Sequence, residues 1–294
     1  MRFTKMHGLG NDYVFIDAVA SPDVLQGVDL RRLAQRMSDR HRGVGADGII
    51  VLLPATDPAR ADVRMRILNS DGSEGGICGN GTRCAAKLVV ERGYVAPRDP
   101  DRVLIDAGAR LLDVEVHRDA SGLVSSATVD MGPPVFELDR VPVDRAHVRP
   151  LTLHMSGAAA EYQIDHRTAA FVSMGNPHMV CFLSEPAARV KLEEEGPRFE
   201  NHPAFPQRIN VHFVTVRSPE EIELRTWERG AGATLACASG ACAVAAAGVA
   251  LGKLGRRLRV RMPGGELLVR VDEPTGHVLM TGEAVEIFSG EWRP

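Results

Sequence analysis

Two glycine-rich loops each place a cysteine directly before a run of small apolar residues. The first is GGICGNGTRCAAKLVV (residues 75–90), where Gly-Asn-Gly follows Cys78, and the second is TLACASGACAVAAAGV (residues 234–249), where Ala-Ser-Gly follows Cys237. Glycine leaves room for backbone N–H groups to converge, and the first turn of a helix leaves such groups unpaired and partly positive. Each loop is therefore predicted to bind a carboxylate and to favour the thiolate form of its cysteine.

A pair of such loops suits the inversion of an amino-acid α-carbon by two thiols. If the loops hold the α-carboxylate between them, one thiolate removes the α-proton and the opposite thiol delivers another, so that the stereocentre inverts. Helix N-termini stabilise the negative charge that develops on the carboxylate in the transition state. Carbanion chemistry usually calls for pyridoxal phosphate, but no lysine lies in an obvious cofactor motif. Cys78 and Cys237 are therefore predicted as an acid/base pair that works without a cofactor.

The other three cysteines, Cys84, Cys181 and Cys242, lie in apolar runs and are predicted to be buried thiols. An odd total of five cysteines argues against a disulfide framework. The spacings from Cys78 to Cys84 and from Cys237 to Cys242 fit no zinc motif, so no metal is predicted. A protein of a different class, in which Cys78 and Cys237 cycle between thiol and disulfide, stays open as an alternative.

The surroundings of the two loops repeat along the chain, which indicates how the loops are positioned. Each cysteine loop follows a Gly-Asn turn and strand-like runs, and each precedes a helix-like run, further strands and a Met-Gly or Met-x-Gly ending. The matched segments, in order, are GLGNDYVFID and SMGNPHMVCFL, DGIIVLL and INVHFVTV, and VDMGPPVFEL and LMTGEAVEIF. Several matches in the same order indicate two homologous halves.

The fold is therefore predicted as α+β, with two pseudo-symmetric halves, each a curved, mostly antiparallel sheet wrapped around a central helix. The central helices are predicted at residues 82–92 and 241–251, where long apolar helical runs occur. Shorter helices at residues 30–38 and 186–194 are expected on the outside. The proline- and charge-rich stretch 133–150 is the expected boundary between the halves. A single continuous α/β domain is the alternative.

Bulk composition excludes several classes of protein. With 294 residues, 44% hydrophobic and 25% charged, the chain is typical of a soluble globular protein. A net charge of −3 without a basic tract argues against nucleic-acid partners. The run that comes closest to a membrane span, residues 236–251, is too short, and the N-terminus has no apolar signal-peptide core. A cytoplasmic protein without membrane or nucleic-acid partners is therefore expected.

Seven phrases spread over nearly the whole chain carry a resemblance to a known family. They are KMHGLGNDYVFID, RGVGADGI, NSDGSEGGICGNGTRC, MGNPHMV, RINVHFV, WERGAGATLACASGACA and GEAVEIFSGEW. With them the sequence resembles the diaminopimelate epimerases, cofactor-independent enzymes that use two cysteines. The resemblance implies the conversion of LL- to meso-diaminopimelate in bacterial lysine and peptidoglycan-precursor synthesis. It also implies a homodimer in which two domains close over the substrate.

The domain limits follow from the resemblance and the repeat together. The resemblance implies that the C-terminal strand, residues 281–294, returns to the first domain. We therefore expect an N-terminal α+β domain of residues 1–133 completed by residues 281–294, which carries Cys78. The C-terminal α+β domain is expected to comprise residues 134–280 and to carry Cys237.

The resemblance also implies roles for individual residues. Cys78 and Cys237 are the acid/base pair. The backbone N–H groups that receive the reacting α-carboxylate are those of Gly79, Asn80, Ala238 and Ser239. The side chains that hold the distal end of the substrate are Asn11, Asn69, Asn176, Asn210, Glu228 and Arg229. His178 and Glu228 resemble residues that tune the ionisation of the two cysteines. An arginine can hold a carboxylate in a bidentate fork, and asparagine supplies both donors and acceptors.

Two positions depart from the family pattern. Ala238 stands where the family usually has glycine, which adds a methyl group to the carboxylate cradle but keeps the backbone N–H. Gly48 stands where some members carry a glutamine-like contact, so no substrate contact is assigned to it.

Related enzymes on the same scaffold are the nearest rivals. Proline and hydroxyproline racemases also have a Cys-Gly-x-Gly loop, but their second motif is Asp-x-Ser-Pro-Cys, whereas this chain has Thr-Leu-Ala before Cys237. The isomerases of phenazine synthesis lack the cysteine pair. Diaminopimelate, a small molecule, is therefore the favoured substrate.

Overall fold

The computed structural model describes residues 1–95, 99–108, 110–152 and 159–293. The chain divides into two compact units. Unit 1 comprises Met1–Asp130 and Thr281–Pro294, and unit 2 comprises Met131–Met280. In each unit a sheet packs on one buried helix, so the predicted α+β class with two similar halves is confirmed.

In its described residues, unit 1 contains two α-helices, a short 3-10 helix (Pro22–Leu25) and strands that pair into a sheet. The elements are β1 (Arg2–Gly8), β2 (Asn11–Asp17), α1 (Leu30–Ser38), β3 (Gly48–Pro54), β4 (Val63–Asn69), α2 (Gly79–Glu91), β5 (Arg102–Asp106), β6 (Leu111–Arg118) and β7 (Val124–Asp130). Near the C-terminus, β17 (Val278–Glu283) leads from unit 2 into unit 1 and β18 (Val285–Glu291) follows. The strands pair in the order β18–β1–β2–β3–β4–β5–β6–β7, with β2–β3 and β4–β5 parallel and the other pairs antiparallel.

The central helix of unit 1 is α2, and all its residues from 79 to 90 are buried. It packs against β1, β2, β5, β6 and β7. Cys78 is its N-cap, and Gly93 follows its C-terminal end with a φ of 72°, a left-handed conformation that glycine adopts without strain. A helix that buries every face needs small residues to approach the sheet closely, which explains its Gly-Asn-Gly-Thr start and its alanines.

The opposite face of β2 and β3 packs against α1. Because side chains alternate along a strand, one face carries the residues next to α1 and the other carries Tyr13 and Ile50 next to α2. The cluster on the α1 side contains Val14, Ile16, Leu33, Met37, Ile49 and Val51. A sheet covered on both faces explains why β3 reads as a continuous apolar run.

Unit 2 repeats this arrangement. Its elements are β8 (Arg149–Thr152), β9 (Glu161–Ile164), β10 (Arg167–Ser173), β11 (Pro177–Leu183), α3 (Leu192–Glu200), β12 (Asn210–Ser218), β13 (Glu221–Glu228), β14 (Gly232–Thr234), α4 (Ala238–Ala250), β15 (Arg257–Met262) and β16 (Gly265–Val271). The strands pair in the order β8–β9–β10–β11–β12–β13–β15–β16, and β14 also pairs with β13. Only β11–β12 and β13–β15 are parallel in this order.

The central helix of unit 2 is α4, which packs against β10, β11, β12 and β16. Its alanines, valines and glycines keep its side chains small, and a Cβ at Gly248 would come 2.3 Å from Cδ1 of Leu254 in the turn that follows the helix. The opposite face of β11 and β12 packs against α3 through an apolar cluster that includes Cys181, Phe199 and Phe213. Within the described residues, no helix has the length and hydropathy of a membrane span.

The predicted helices differ from the observed ones mainly at their ends. Both central helices begin three residues earlier than predicted, because the glycine-containing tripeptides after the cysteines form the first turns. The prediction for α1 is confirmed. The helix predicted at residues 186–194 is wrong in its limits: a short 3-10 helix, Ala187–Arg189, is followed by an extended Val190, and α3 begins only at Leu192.

Candidate functional site

Cys78 lies at the N-terminus of α2 with its sulfur among three polar groups. Its backbone is extended (φ −114°, ψ 111°), which makes it the N-cap residue. Cys78 Sγ accepts a hydrogen bond from the backbone N–H of Gly81 (3.5 Å) and from the hydroxyl of Tyr13 (3.4 Å). Through its S–H it donates to Oδ1 of Asn11 (3.3 Å). Cys78 is partly exposed, so its sulfur is accessible.

The amides around Cys78 are held in fixed orientations. Asn11 donates through Nδ2 to the Asp47 carboxylate (2.7 Å), which turns its Oδ1 toward Nδ2 of Asn80 (3.1 Å). Asn80 in turn accepts at Oδ1 from the Arg83 guanidinium (3.0 Å). Arg83 is fully buried and donates through Nε to the Glu283 carbonyl (3.0 Å). The structure therefore places the side chains of Asn11 and Asn80 close to Cys78.

The remaining unit 1 positions named from the sequence are Gly79, Asn69 and Gly48. Gly79 is the buried first residue of α2. Asn69 lies at the exposed end of β4 and donates through Nδ2 to the Ser73 hydroxyl (3.0 Å). Gly48 pairs with Asn69, and a Cβ there would come 2.3 Å from the Leu68 carbonyl oxygen, so the backbone admits only glycine. This explains the departure at position 48.

Cys237 lies at the N-terminus of α4 in a more buried setting, with 3% of its surface exposed. Burial raises the pKa of its thiol well above the ordinary value, and the Glu228 carboxylate raises it further. The Ser239 hydroxyl, 3.7 Å from Cys237 Sγ, and the Gly240 N–H lower the pKa by less. Glu228 also accepts from the Thr234 hydroxyl (2.6 Å). Cys237 is therefore a protonated thiol at neutral pH.

Two buried histidines lie behind the Cys237 loop. His178 Nε2 is 2.9 Å from Asn176 Oδ1, and His178 Nδ1 is 2.8 Å from His212 Nε2. His212 Nδ1 is 3.0 Å from the Thr226 hydroxyl. Asn176 donates through Nδ2 toward the Ser239 hydroxyl (3.5 Å). Burial lowers the pKa of His178 well below its ordinary value and lowers the pKa of His212 to about 3, so both rings are neutral.

Asn210, Arg229 and Ala238 complete the unit 2 positions. Asn210 is buried, donates to the Pro177 carbonyl (2.8 Å) and accepts from the Arg229 backbone N–H (3.0 Å), so its amide joins the start of β11 to the end of β13. The Arg229 guanidinium donates to the Gln207 carbonyl (3.1 Å). Ala238 is the buried first residue of α4, so the chain accepts its methyl group there.

The other three cysteines are buried, as predicted. Cys84, Cys181 and Cys242 have 1% or less of their surface exposed, and all cysteines are free thiols. Burial raises the pKa of Cys84 and that of Cys181 to about 12. Within the described ranges, no group of three or more His, Cys, Asp or Glu side chains is placed to share a metal ion.

Two residues of these groups, Tyr13 and His212, were not predicted from the sequence. Tyr13 lies two residues after Asn11 on β2, and His212 lies two residues after Asn210 on β12. Residues two apart on a strand share a face. That alternation was the signal that could have found them.

The sequence model of one family, described as diaminopimelate epimerase, matches residues 3–137 and 170–287. A diaminopimelate epimerase of Pelotomaculum thermopropionicum is 45% identical over 294 residues, which cover 99% of each chain. A diaminopimelate epimerase of Heliobacterium modesticaldum is 42% identical over 291 residues, again 99% of each chain.

Solved structures with the same fold are more distant in sequence. A probable proline racemase from Agrobacterium radiobacter has a TM-score of 0.66 at 18% identity, with 99% of this chain and 92% of that chain covered. A phenazine biosynthesis protein of the PhzF family from Bacillus anthracis has a TM-score of 0.64 at 15% identity, with 100% and 99% covered. These likenesses show the fold, whereas the full-length relatives at above 40% identity show the family. The chain belongs to the diaminopimelate epimerase family.

Proposed function

We propose that this chain interconverts LL- and meso-diaminopimelate, with Cys78 and Cys237 as the proton-transferring pair. The observation that carries the proposal is that each unit has a cysteine as the N-cap of its buried central helix. Cys78 caps α2, and Cys237 caps α4. Relatives that match this chain over its whole length are named diaminopimelate epimerase, which supports diaminopimelate as the substrate.

The two cysteines begin the proposed reaction in opposite protonation states. Because burial and Glu228 raise the pKa of Cys237, its thiol keeps the proton and serves as the acid. Cys78, which accepts hydrogen bonds from the Tyr13 hydroxyl and the Gly81 N–H, serves as the thiolate base. The mechanism requires the two sulfurs to reach opposite faces of one α-carbon in the substrate complex.

The steps balance without another reactant. The thiolate takes the α-proton, and the electron pair of the broken C–H bond moves into the carboxylate, which becomes enediolate-like. The N–H groups at the starts of α2 and α4, from Gly79, Asn80, Ala238 and Ser239, stabilise that charge. The opposite thiol then delivers its proton to the other face. In the reverse direction the cysteines exchange roles.

The distal end of the substrate would be held by polar side chains. These are Asn11, Asn69, Asn176, Asn210, Glu228 and Arg229. A site that pairs the second amine and carboxylate rejects amino acids that lack them, because its own polar groups would be left unpaired. Arg229 is the natural partner for the distal carboxylate.

Isotope incorporation tests the reaction. In deuterated water, LL-diaminopimelate should give meso product with deuterium at one α-carbon, measured by NMR and mass spectrometry. Cys78→Ala and Cys237→Ala should each lose at least about a thousandfold in kcat, the scale of acid–base catalysis. Cys84→Ala and Cys181→Ala are matched controls that should cost stability and leave turnover largely intact. Turnover with all α-protium retained, or full activity of Cys78→Ala, would contradict the proposal.

Rival functions have distinct outcomes in the same assays. Inversion of L-proline or 4-hydroxyproline without inversion of diaminopimelate would replace the proposed substrate by that of a racemase. A thiol–disulfide protein would show reversible oxidation of the cysteines coupled to a partner and no exchange of α-hydrogen.

Several broader expectations stay predictions. The proposed reaction would place the protein in the synthesis of lysine and of peptidoglycan precursors. The family resemblance implies a cytoplasmic homodimer with two domains that close over the substrate. Ile287 and Phe288 on β18 are 50% and 47% exposed, which supports a contact with a second copy. Sedimentation equilibrium of the wild type and of Phe288→Asp would test that contact.

A further inference from the structure

A continuous chain of hydrogen-bonding side chains crosses three adjacent strands beneath the start of α4. Thr226 on β13 lies directly opposite His212 on β12. His212 pairs in register with Val180 on β11, so His178 lies on the same face two residues away. The successive separations are 3.0 Å from Thr226 Oγ1 to His212 Nδ1 and 2.8 Å from His212 Nε2 to His178 Nδ1.

The chain continues to the Cys237 loop. His178 Nε2 lies 2.9 Å from Asn176 Oδ1, and Asn176 Nδ2 lies 3.5 Å from Ser239 Oγ. Ser239 Oγ lies 3.7 Å from Cys237 Sγ. His178 and His212 are both 0% exposed, so each ring must satisfy its two nitrogens within this chain.

These contacts fix the direction of every donor. Asn176 presents Oδ1, an acceptor, to His178, so His178 carries its proton on Nε2. A neutral imidazole has one donor and one acceptor, so His178 Nδ1 accepts from His212 Nε2–H. His212 Nδ1 is then an acceptor for the Thr226 hydroxyl. All donors therefore point from Thr226 toward the loop.

The direction of the chain determines what Ser239 can do. Asn176 offers Ser239 an N–H, not an oxygen, so the Ser239 hydroxyl accepts there and its own proton is free to point at Cys237. We propose that His212 is a positioning residue which, through His178 and Asn176, holds the Ser239 hydroxyl as a hydrogen-bond donor to Cys237. This inference rests on the proposed role of Cys237.

Packing holds His212 under the first turn of α4. A Cβ at Gly240 would come 2.2 Å from His212 Cε1 and less than 3 Å from both ring nitrogens. Gly240 is thus required by the histidine ring as well as by the loop. Burial, the His212 ring and the Arg229 guanidinium all disfavour an additional proton on His178, and the Glu228 carboxylate acts on Cys237 at the other end of the chain.

The hydrogen-bond chain acts at the step in which Cys237 gives up its proton. The sulfur then becomes negative, and a hydroxyl that already points at it stabilises the new charge without reorganisation. A donor that could turn away would have to be reoriented at that moment. Loss of the chain should therefore lower kcat more than it raises KM.

Histidine tautomers test the inference without any activity measurement. In the full chain labelled with 15N-histidine, long-range 1H–15N correlation spectra at pH 7.5 should show Nε2–H and unprotonated Nδ1 for both His178 and His212. The signals are assigned by removing one histidine at a time. An Nδ1–H tautomer or an imidazolium at either position would overturn the inference.

Paired variants of His212 test the consequence for catalysis. Leucine removes the donor to His178, whereas glutamine can supply an N–H close to the position of Nε2. We expect His212→Leu to lower kcat by about tenfold, the worth of one buried hydrogen bond, with KM changed by less than about twofold. His212→Gln should recover most of that loss. Equal losses in both variants, or a change confined to KM, would refute the positioning role.

Thr226 keeps the test decisive if His212→Leu does not fold. Thr226→Val removes the first donor and should lower kcat severalfold, whereas Thr226→Ser keeps the hydroxyl and should match the wild type. The matched control is His117→Leu, since His117 also bonds a threonine hydroxyl, Thr128 (2.7 Å), but lies in unit 1 outside the site. It should leave kcat unchanged. If the wild type did not epimerise diaminopimelate, the proposed function would fail, and the tautomers would still decide this inference.

Discussion

The N-termini of α2 and α4 share a backbone plan but are backed by different side chains. In unit 1, Tyr13 follows Asn11 by two residues and pairs in parallel register with Gly48. In unit 2, His178 follows Asn176 by two residues and pairs in parallel register with Asn210. The two cysteine loops thus rest on strands with the same register.

The difference lies two residues further along β3 and β12. Ile50 pairs with Ile67 beneath α2, whereas His212 pairs with Thr226 beneath α4. The backing of Cys78 is therefore apolar, and Tyr13 donates directly to its sulfur. The side chains beneath α4 are polar, and His212 is linked to Cys237 through His178, Asn176 and Ser239.

The repeated fold therefore places its two cysteines in unequal surroundings. Cys237 is buried next to a carboxylate, which holds its pKa high and keeps the proton on sulfur. Cys78 is partly exposed and accepts from an N–H and a hydroxyl. The proposed two-base reaction requires one thiol and one thiolate at the start, and the differing neighbours of the two cysteines fit that requirement.

The largest expected effect that separates the two regions is acid sensitivity. Burial lowers the folded-state pKa of His178 well below its ordinary value and lowers that of His212 to about 3. Both histidines therefore contribute stability above about pH 6.5 that is lost as the pH falls through their folded-state pKa values. For His212 the loss at pH 5 should be about 2 kcal/mol. Hydrogen exchange, corrected for intrinsic rates, should therefore show α4 losing protection between pH 7.5 and 5 while α2 keeps it. Equal loss in both helices would contradict the assignment.

The next effect concerns the equivalent glycines of the two helices. A Cβ at Gly240 meets the His212 ring at 2.2 Å, whereas a Cβ at Gly81 meets only the terminal Cδ1 of Ile50 at 2.5 Å. Gly240→Ala should lower the free energy of unfolding by about 2–3 kcal/mol and Gly81→Ala by less than about 1 kcal/mol, because a terminal methyl group can move aside. Urea denaturation measures both, and His212→Ala in the Gly240→Ala background should restore part of the loss.

The smallest effect is at Tyr13. Tyr13→Phe removes a hydroxyl that donates to Cys78 Sγ, so the thiolate loses a partner and the pKa of Cys78 should rise. We expect kcat to fall by about threefold to tenfold, and the pH midpoint of Cys78 alkylation, followed by peptide mass spectrometry, to move upward. Tyr94→Phe is the control, because the Tyr94 hydroxyl bonds Asp17 instead. An unchanged alkylation midpoint would remove Tyr13 from the site.

Much of the fold could be predicted from the sequence because the same order of strand and helix patterns occurs in both halves. The central helices were predicted from alanine- and valine-rich runs, and only their starts were misplaced, since glycines that usually end a helix form its first turn here. The limits of the helix predicted at residues 186–194 were wrong because Val190 is extended. No residue type next to Val190 indicates this interruption.

Part of the site was predictable for the same reason. Cys78 and Cys237 stand in loops whose composition fits anion binding, and Asn11 does lie beside Cys78. The hydrogen bonds of Asn210 were not predictable, because its partners, Pro177 and Arg229, are brought to it by strand pairing.

The sequence by itself determined the family, the two halves and the two capping cysteines, because these depend on residue types and on local spacing. Only the tertiary structure decided which thiol holds its proton and which side chains support it. Burial, the nearness of Glu228 to Cys237 and the alignment of His178, His212 and Thr226 arise from strands far apart in the chain. Electrostatics and hydrogen bonding depend on distances in space, and sheet register sets those distances.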